Sequence, residues 1–89
     1  MKVQRLQPVW RDGEHLRLTF YVHGDITGLR LVIGEKTYPL SVGKEAAEVV
    51  IPSAERSVHS NRSRVALQAL VRDGWETIAA GNLVKETNE

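Results

Sequence analysis

Three histidines are the residues of this chain best suited to bind a metal or to transfer protons. His15 and His23 lie on one face of the same predicted strand, eight positions apart. At about 3.3 Å per residue they would be about 26 Å apart, far outside a shared coordination shell with bonds of about 2 Å. His59 lies in a separate polar segment. We therefore predict no metal site, and we expect the histidines of the strand to be solvated.

A serine hydrolase is the second chemistry that these residue types allow. The serines near His59 are Ser57, Ser60 and Ser63, and the carboxylate would come from Asp12 or Asp73. A catalytic triad is defined by geometry, however, and no Gly-x-Ser-x-Gly turn surrounds any of these serines. Gly24 and Gly28 flank a turn with no helix behind them, so they form no phosphate loop. We therefore predict a protein that is not an enzyme and uses no cofactor.

Positive charge is concentrated between residues 56 and 64, with no acidic residue among them. The segment contributes Arg56, His59, Arg62 and Arg64 as candidate partner contacts. Such a loop could contact phosphate groups or an acidic protein surface, and a solvated loop without a partner is the alternative. No aromatic residue adjoins it in sequence, as a stacking platform for single-stranded nucleic acid would require.

The elements that must position these residues are β-strands. Residues 15–23 and 64–71 alternate between polar and apolar side chains, which indicates strands with one face in a core. The outward face of the first run supplies a second set of candidate contacts. Its residues are Arg17, Thr19, Tyr21 and His23.

Turn residues separate seven such runs at intervals of about 8 to 12 residues, which is typical of a sandwich of two antiparallel sheets. Pro8 places the first run at an edge or at a strand switch, and Pro39 makes the fourth run an edge strand. In the polar segment 53–61 we expect Ser53 to cap one helical turn and Val58 to be the apolar anchor. Trp75 follows a turn and is predicted to lie in the core or at its seam.

Length and composition limit the other possibilities. We expect the 89 residues to form one domain at 1–84 with a polar tail at 85–89. The absence of cysteine excludes disulfides and thiolate metal sites. The net charge of +1 predicts no general attraction to nucleic acid or to an anionic membrane. Nothing at the N-terminus resembles a signal peptide, so we expect no Sec-type export.

Several turns and strands carry a resemblance to a known family. They are VWRDGE (residues 9–14), GDITG (24–28), RVALQA (64–69), RDG (72–74) and AGNLV (80–84). With the alternating strand between the first two, this order resembles the small immunoglobulin-like domains of bacteriophage baseplate, tail and accessory proteins, including the N-terminal domain of baseplate upper proteins. The resemblance covers residues 9 to 84. It implies an all-β, antiparallel immunoglobulin-like β-sandwich of about seven strands.

The resemblance also implies a function. It suggests a structural or accessory protein of a virion, made in the host cytoplasm, that docks as a rigid module on a head or on a tail or baseplate lattice. The implied partners are a major capsid, tail or baseplate protein, and further copies of the chain itself.

Two other classes of function stay open. One is a host-side sandwich adaptor, and the other is a nucleic-acid or ligand-binding module that uses the loop from Arg56 to Arg64. The dependence of binding on salt separates the second class from apolar docking, because phosphate contacts weaken steeply as salt is raised.

Overall fold

The structure is a computed structural model that describes residues 3–22 and 26–86. Within those residues the chain is mostly β, as predicted, with ten strands and one 3₁₀ helix. In chain order the strands are β1 (Gln4–Leu6), β2 (Val9–Arg11), β3 (Leu16–Tyr21), β4 (Gly28–Ile33), β5 (Lys36–Pro39), β6 (Ser41–Val42), β7 (Ala46–Ile51), β8 (Arg64–Val71), β9 (Gly74–Asn82) and β10 (Val84–Glu86). The 3₁₀ helix (Ser53–Val58) lies between β7 and β8, and no helix of the described residues is long and apolar enough to cross a membrane.

The strands form three sheets. Five strands pair in the order β1-β9-β8-β4-β5, three pair in the order β3-β7-β6, and β2 pairs with β10. β1 runs parallel to β9 and β2 runs parallel to β10, whereas the other pairs are antiparallel. The prediction of purely antiparallel sheets was therefore wrong for the first and last segments of the chain. The first two strands, β1 and β2, run beside the last two strands, β9 and β10, in the same direction.

Three of the seven predicted runs break and change sheet, which produces ten strands. The first run breaks at Pro8, between β1 and β2, which lie in different sheets. Of the two positions predicted for Pro8, an edge or a strand switch, the switch is confirmed. The fourth breaks at Leu40, between β5 and β6, and the last breaks at Leu83, between β9 and β10. Both leucines are buried, so the chain is fixed in the core at the points where it crosses. The strand that contains Pro39 lies at the edge of its sheet, also as predicted.

One hydrophobic core joins the inner faces of the two larger sheets. The alternation of the sequence determines these faces, since the residues with buried side chains pair with one another across neighbouring strands. On the five-stranded sheet the pairs are Leu29–Ala69, Leu31–Leu67 and Ile33–Val65. On the three-stranded sheet Leu16 pairs with Ile51, and the partly buried Phe20 pairs with Ala47. Trp10 is fully buried among them and donates its indole N–H to the carbonyl of Glu14 at 2.7 Å.

The 3₁₀ helix is held differently from the prediction. Ser53 does not cap it with its side chain; instead its backbone N–H donates to Nδ1 of His15 at 2.9 Å. Val58 is 55% exposed, and His59, at 5%, is the buried anchor of the segment. A polar ring can fill this position because hydrogen bonds satisfy it there.

One further expectation needs correction. Trp75 pairs with Leu70 and lies on the outward side of the five-stranded sheet, 41% exposed, rather than in the core or at its seam. The pairing of β8 with β9 shifts register between Leu67 and Gln68. Trp75 lies on one side of this shift along β9, and the buried Ala79 lies on the other. At the C-terminus, β10 includes Lys85 and Glu86, the first two residues of the predicted polar tail.

Gly81 provides a test of the parallel pairing of β1 with β9. A Cβ atom at this position would collide with the backbone carbonyl of Leu6, its partner across the pair. We expect Gly81→Ala to lower the free energy of unfolding by about 2 kcal/mol or more, measured by urea denaturation. Gly28→Ala is the matched control, because its Cβ would make ordinary contacts of 3.6 Å with Leu70 and Trp75. A change of less than about 1 kcal/mol is expected there, and equal effects at both sites would contradict the pairing.

Candidate protein-binding surface

The structure uses Arg56, a residue of the predicted basic loop, inside the fold. Its Nε donates to the carbonyl of Trp10 at 3.3 Å and its Nη2 donates to the carbonyl of Glu86 at 2.8 Å. Asp12 lies 3.6 Å from Nη1, and the Arg56 side chain is only 13% exposed. Arg56 therefore joins the 3₁₀ helix to β2 and β10, and its charge is directed into these contacts.

His59 belongs to a polar network between the 3₁₀ helix and β5. Its Nε2 lies 2.7 Å from the hydroxyl of Tyr38, which in turn donates to Oε1 of Glu55 at 3.1 Å. The same carboxylate oxygen accepts from Lys36 at 3.1 Å. A tyrosine hydroxyl has one proton, so a Tyr38 that donates to Glu55 must accept from an Nε2–H of His59. This network therefore requires a proton on Nε2 of His59.

Burial and charge in this network shift three pKa values. Burial, reinforced by the hydrogen bond and the negative charge of Glu55, raises the pKa of Tyr38 to about 12. Burial lowers the pKa of His59, which the nearby Glu55 carboxylate opposes. The hydrogen bond from Lys36 lowers the pKa of Glu55. Near neutral pH these shifts favour a neutral tyrosine, a neutral histidine and a carboxylate.

The surroundings of this network indicate a structural role. The ring centroid of His59 lies 6.1 Å from that of Trp10 and 5.9 Å from that of Tyr38. Its backbone carbonyl accepts from the ammonium group of Lys85 at 2.8 Å, which connects the network to β10. Among the described residues no group of three or more histidine, cysteine, aspartate or glutamate side chains could hold a metal. We interpret the network as the attachment of the 3₁₀ helix to the sandwich.

The outward side of the five-stranded sheet is the surface that gathers exposed functional groups. We call this surface the outer face. It consists of the residues that pair with one another across neighbouring strands and whose side chains point away from the core. Its rows are Arg5–Ala80–Ala66–Val32–Thr37, Thr77–Gln68–Arg30–Pro39, Trp75–Leu70–Gly28 and Asn82–Arg64. Small side chains at Ala66 and Ala80, beside Gly81, line a shallow depression between these rows.

Hydrogen bonds hold the centre of the outer face in one arrangement. Nε of Arg30 donates to Oε1 of Gln68 at 2.7 Å, and Nε2 of Gln68 donates to Oγ1 of Thr77 at 3.3 Å. The guanidinium carbon of Arg30 lies 4.1 Å from the centroid of the Trp75 ring, which is a cation–π distance. The exposed tryptophan is therefore a support for Arg30, and the remaining N–H groups of Arg30 keep their capacity to bind a partner.

The outer face carries positive charge without compensating acid. Its rows contain Arg5, Arg30 and Arg64, and none of these rows, all within the described strands, contains aspartate or glutamate. Only Arg64 of these three belongs to the predicted contact set. Arg5 and Arg30 were missed because they are distant in sequence and come to share one sheet face only through strand pairing. The only sequence signal for Arg5 and Arg30 was that each is a polar residue at an outward-facing position of a strand.

The other predicted contacts are distributed around the molecule. Arg17 and Tyr21 lie on β3, in the opposite sheet, where the Tyr21 side chain is 82% exposed. His23 lies outside the described residues. Arg62 is exposed in a turn with φ of 69°, and its N–H donates to the carbonyl of Leu83 at 2.7 Å. The structure therefore does not bring the predicted contact residues together in one site.

Comparison with known proteins adds no further constraint on the function. No family model and no curated protein matches the chain. The functional argument therefore depends on the outer face and on the arrangement of the strands.

The raised pKa of Tyr38 can be measured directly. Tyr21 and Tyr38 are the two tyrosines of the chain, so Tyr21→Phe leaves Tyr38 as the only one that ionises. We expect its absorbance at 295 nm to titrate with a midpoint of about 12 in the folded protein. In urea the same variant should titrate near 10, the ordinary value for an exposed tyrosine. A folded-state midpoint near 10 would contradict the burial of the Tyr38 hydroxyl beside the Glu55 carboxylate.

The lowered pKa of His59 predicts how stability changes with pH. As the pH falls below about 6.5, the unfolded chain binds a proton at this position before the folded chain does. The free energy of unfolding should therefore be highest above that pH and fall as the solution is acidified towards pH 5. His59→Gln, which keeps a hydrogen-bonding group but cannot titrate, should reduce this dependence relative to the native chain. Identical dependence in both proteins, measured by urea denaturation, would exclude His59 as its source.

Proposed function

We propose that the protein is a non-enzymatic, immunoglobulin-like docking module of a bacteriophage particle that binds an acidic protein surface through its outer face. The observation that carries the proposal is the presence of Arg5, Arg30 and Arg64 on one ordered sheet face without an acidic residue between them. The resemblance of the turns to phage virion domains suggests which surface is bound. It favours a head or a tail lattice, where the module would act as a decoration, minor capsid or tail protein.

The arrangement of the strands supports an immunoglobulin-like sandwich. β3, β7 and β6 lie in one sheet, and β9, β8, β4 and β5 lie in the other, across a shared core. In chain order this matches the immunoglobulin pattern in which strands B, E and D oppose strands G, F, C and C′. The N-terminal segment leaves the five-stranded sheet at Pro8 and then pairs with β10 in a separate two-stranded sheet. Such a sandwich presents one sheet face to a partner while the core stays intact.

The physical properties of the outer face suit docking on a protein. The contacts of Arg30 with Gln68 and Trp75 restrict its side chain before binding, which reduces the entropy lost in a complex. The small side chains of the depression allow a partner to approach the sheet closely. A contact of about 800 Å² per partner is typical of specific association, and repetition of the contact over a symmetric shell adds avidity. A contact that is weak on its own can therefore keep the sites of a symmetric shell occupied when it is repeated over that shell.

The test is co-sedimentation with purified heads and, separately, purified tails of the phage that encodes the chain. We expect one particle type to bind the protein, and Arg5→Gln/Arg64→Gln to weaken binding about 10-fold or more. The matched control is Arg11→Gln/Arg72→Gln, which removes two exposed charges from outside the outer face. Binding to neither particle, or equal loss in both double variants, would contradict the proposal.

The same experiment also tests the alternative that the protein binds nucleic acid. Random-sequence duplex DNA should not compete with the particle for the protein at physiological salt. Strong binding to that DNA, with affinity that falls steeply as salt is raised, would instead favour phosphate recognition by the three arginines.

A further inference from the structure

The second sheet has an edge that no described strand covers. β3 pairs with β7 on one side only, since the sheet order is β3-β7-β6. The N–H of Val22 donates to the carbonyl of Glu45 at 3.0 Å and continues that ladder. In an antiparallel pair, residues that exchange hydrogen bonds alternate with residues that do not, so Leu18 and Phe20 bond to β7. The backbone groups of the residues between and beside them point to the open side. These residues are Arg17, Thr19 and Tyr21.

The remaining edges of the two larger sheets are protected in ways that β3 is not. β6 has two residues, β1 has three, and β5 contains both Lys36 and Pro39. Short length, lysine and proline are the usual means by which an edge avoids pairing with another chain. β3 has six residues with no proline and no bulge, so its edge is a template for another strand.

We propose that this edge binds a second copy of the same chain, with the two β3 strands antiparallel and Thr19 on the twofold axis. In that register each backbone group of the open side meets a partner. Thr19 pairs with Thr19 of the second copy, and Arg17 pairs with Tyr21 of the second copy in both directions. In each chain these three residues donate their backbone N–H groups and accept at their backbone carbonyls, which gives six hydrogen bonds between the two chains. The two sheets become one continuous six-stranded sheet.

The side chains of β3 are complementary to themselves in this register. On the outward side, each Arg17 lies opposite an aromatic ring of Tyr21, which is 82% exposed in the single chain. Like charges are not placed opposite each other, because the two Arg17 side chains are four residues apart along the pair. On the core side, Leu18 lies next to Phe20 of the second copy. Both residues are only partly buried in the single chain, so pairing would cover the apolar surface that they leave at the edge.

This pairing also closes on itself. A twofold contact uses the same edge of both chains, and the two-residue β6 limits further growth at the far side of the sheet. The outer face of the five-stranded sheet takes no part in it. The dimer would therefore present two outer faces, and its formation does not depend on the function proposed above.

Sedimentation equilibrium of the full chain tests the proposal. We expect the mass to rise from 10.0 kDa at low concentration towards about 20 kDa at about 1 mM. Thr19→Lys places two like charges opposite each other on the axis, and Thr19→Asp does the same with the opposite sign. Each variant alone should weaken dimerisation about 10-fold or more, and an equimolar mixture of the two should restore it.

Thr37→Lys is the matched control, because Thr37 is an exposed threonine on β5, another edge strand. It should dimerise like the native chain. The restored dimer in the mixture shows that both Thr19 variants are folded, so loss of folding cannot imitate the result. A native chain that stays at 10.0 kDa throughout, or charge variants that dimerise as well as the control, would overturn the proposal.

Discussion

The arrangement of the sandwich depends on Pro8. This residue is buried and has no amide hydrogen, so it cannot continue the ladder that β1 forms with β9. Its carbonyl accepts from the N–H of Val84 at 2.9 Å, and the chain enters β2 beside β10 instead. The N-terminal segment is therefore used in two parallel pairs with the C-terminal strands. It is not available to cover β3, and the open edge of the second sheet follows from this.

The same crossing positions Trp10, and Trp10 in turn organises the 3₁₀ helix. The indole is fully buried and close to the ring of His59, whose hydrogen bond with Tyr38 connects the helix to β5. Arg56 binds the carbonyl of Trp10 from the helix side. Two of the four residues in the predicted basic loop, Arg56 and His59, are thus used to hold the helix. Arg64 of the same loop lies on the outer face, where strand pairing places it on one sheet face with Arg5 of β1 and Arg30 of β4.

The sequence was sufficient to predict features that depend on local pattern. Alternation identified the buried faces of β3 and β8, Pro8 marked the strand switch, and Pro39 marked the edge strand. The grouping of Arg5 with Arg30 could not be predicted, because it depends on the register of strands that are far apart in the chain. The burial of His59 could not be predicted either, because it requires partners from β2 and β5. Val58, the apolar residue beside it, was predicted to be the anchor of the segment, but its side chain is exposed.

The open edge of β3 is the feature on which the account of assembly depends, and amide hydrogen exchange at low protein concentration measures it most directly. The amides of Leu18 and Phe20 face β7 and should exchange slowly, whereas those of Arg17, Thr19 and Tyr21 should exchange quickly. This alternation along one strand is the predicted result. Uniform protection of all five amides in the monomer would mean that another part of the chain covers the edge, and it would contradict the account.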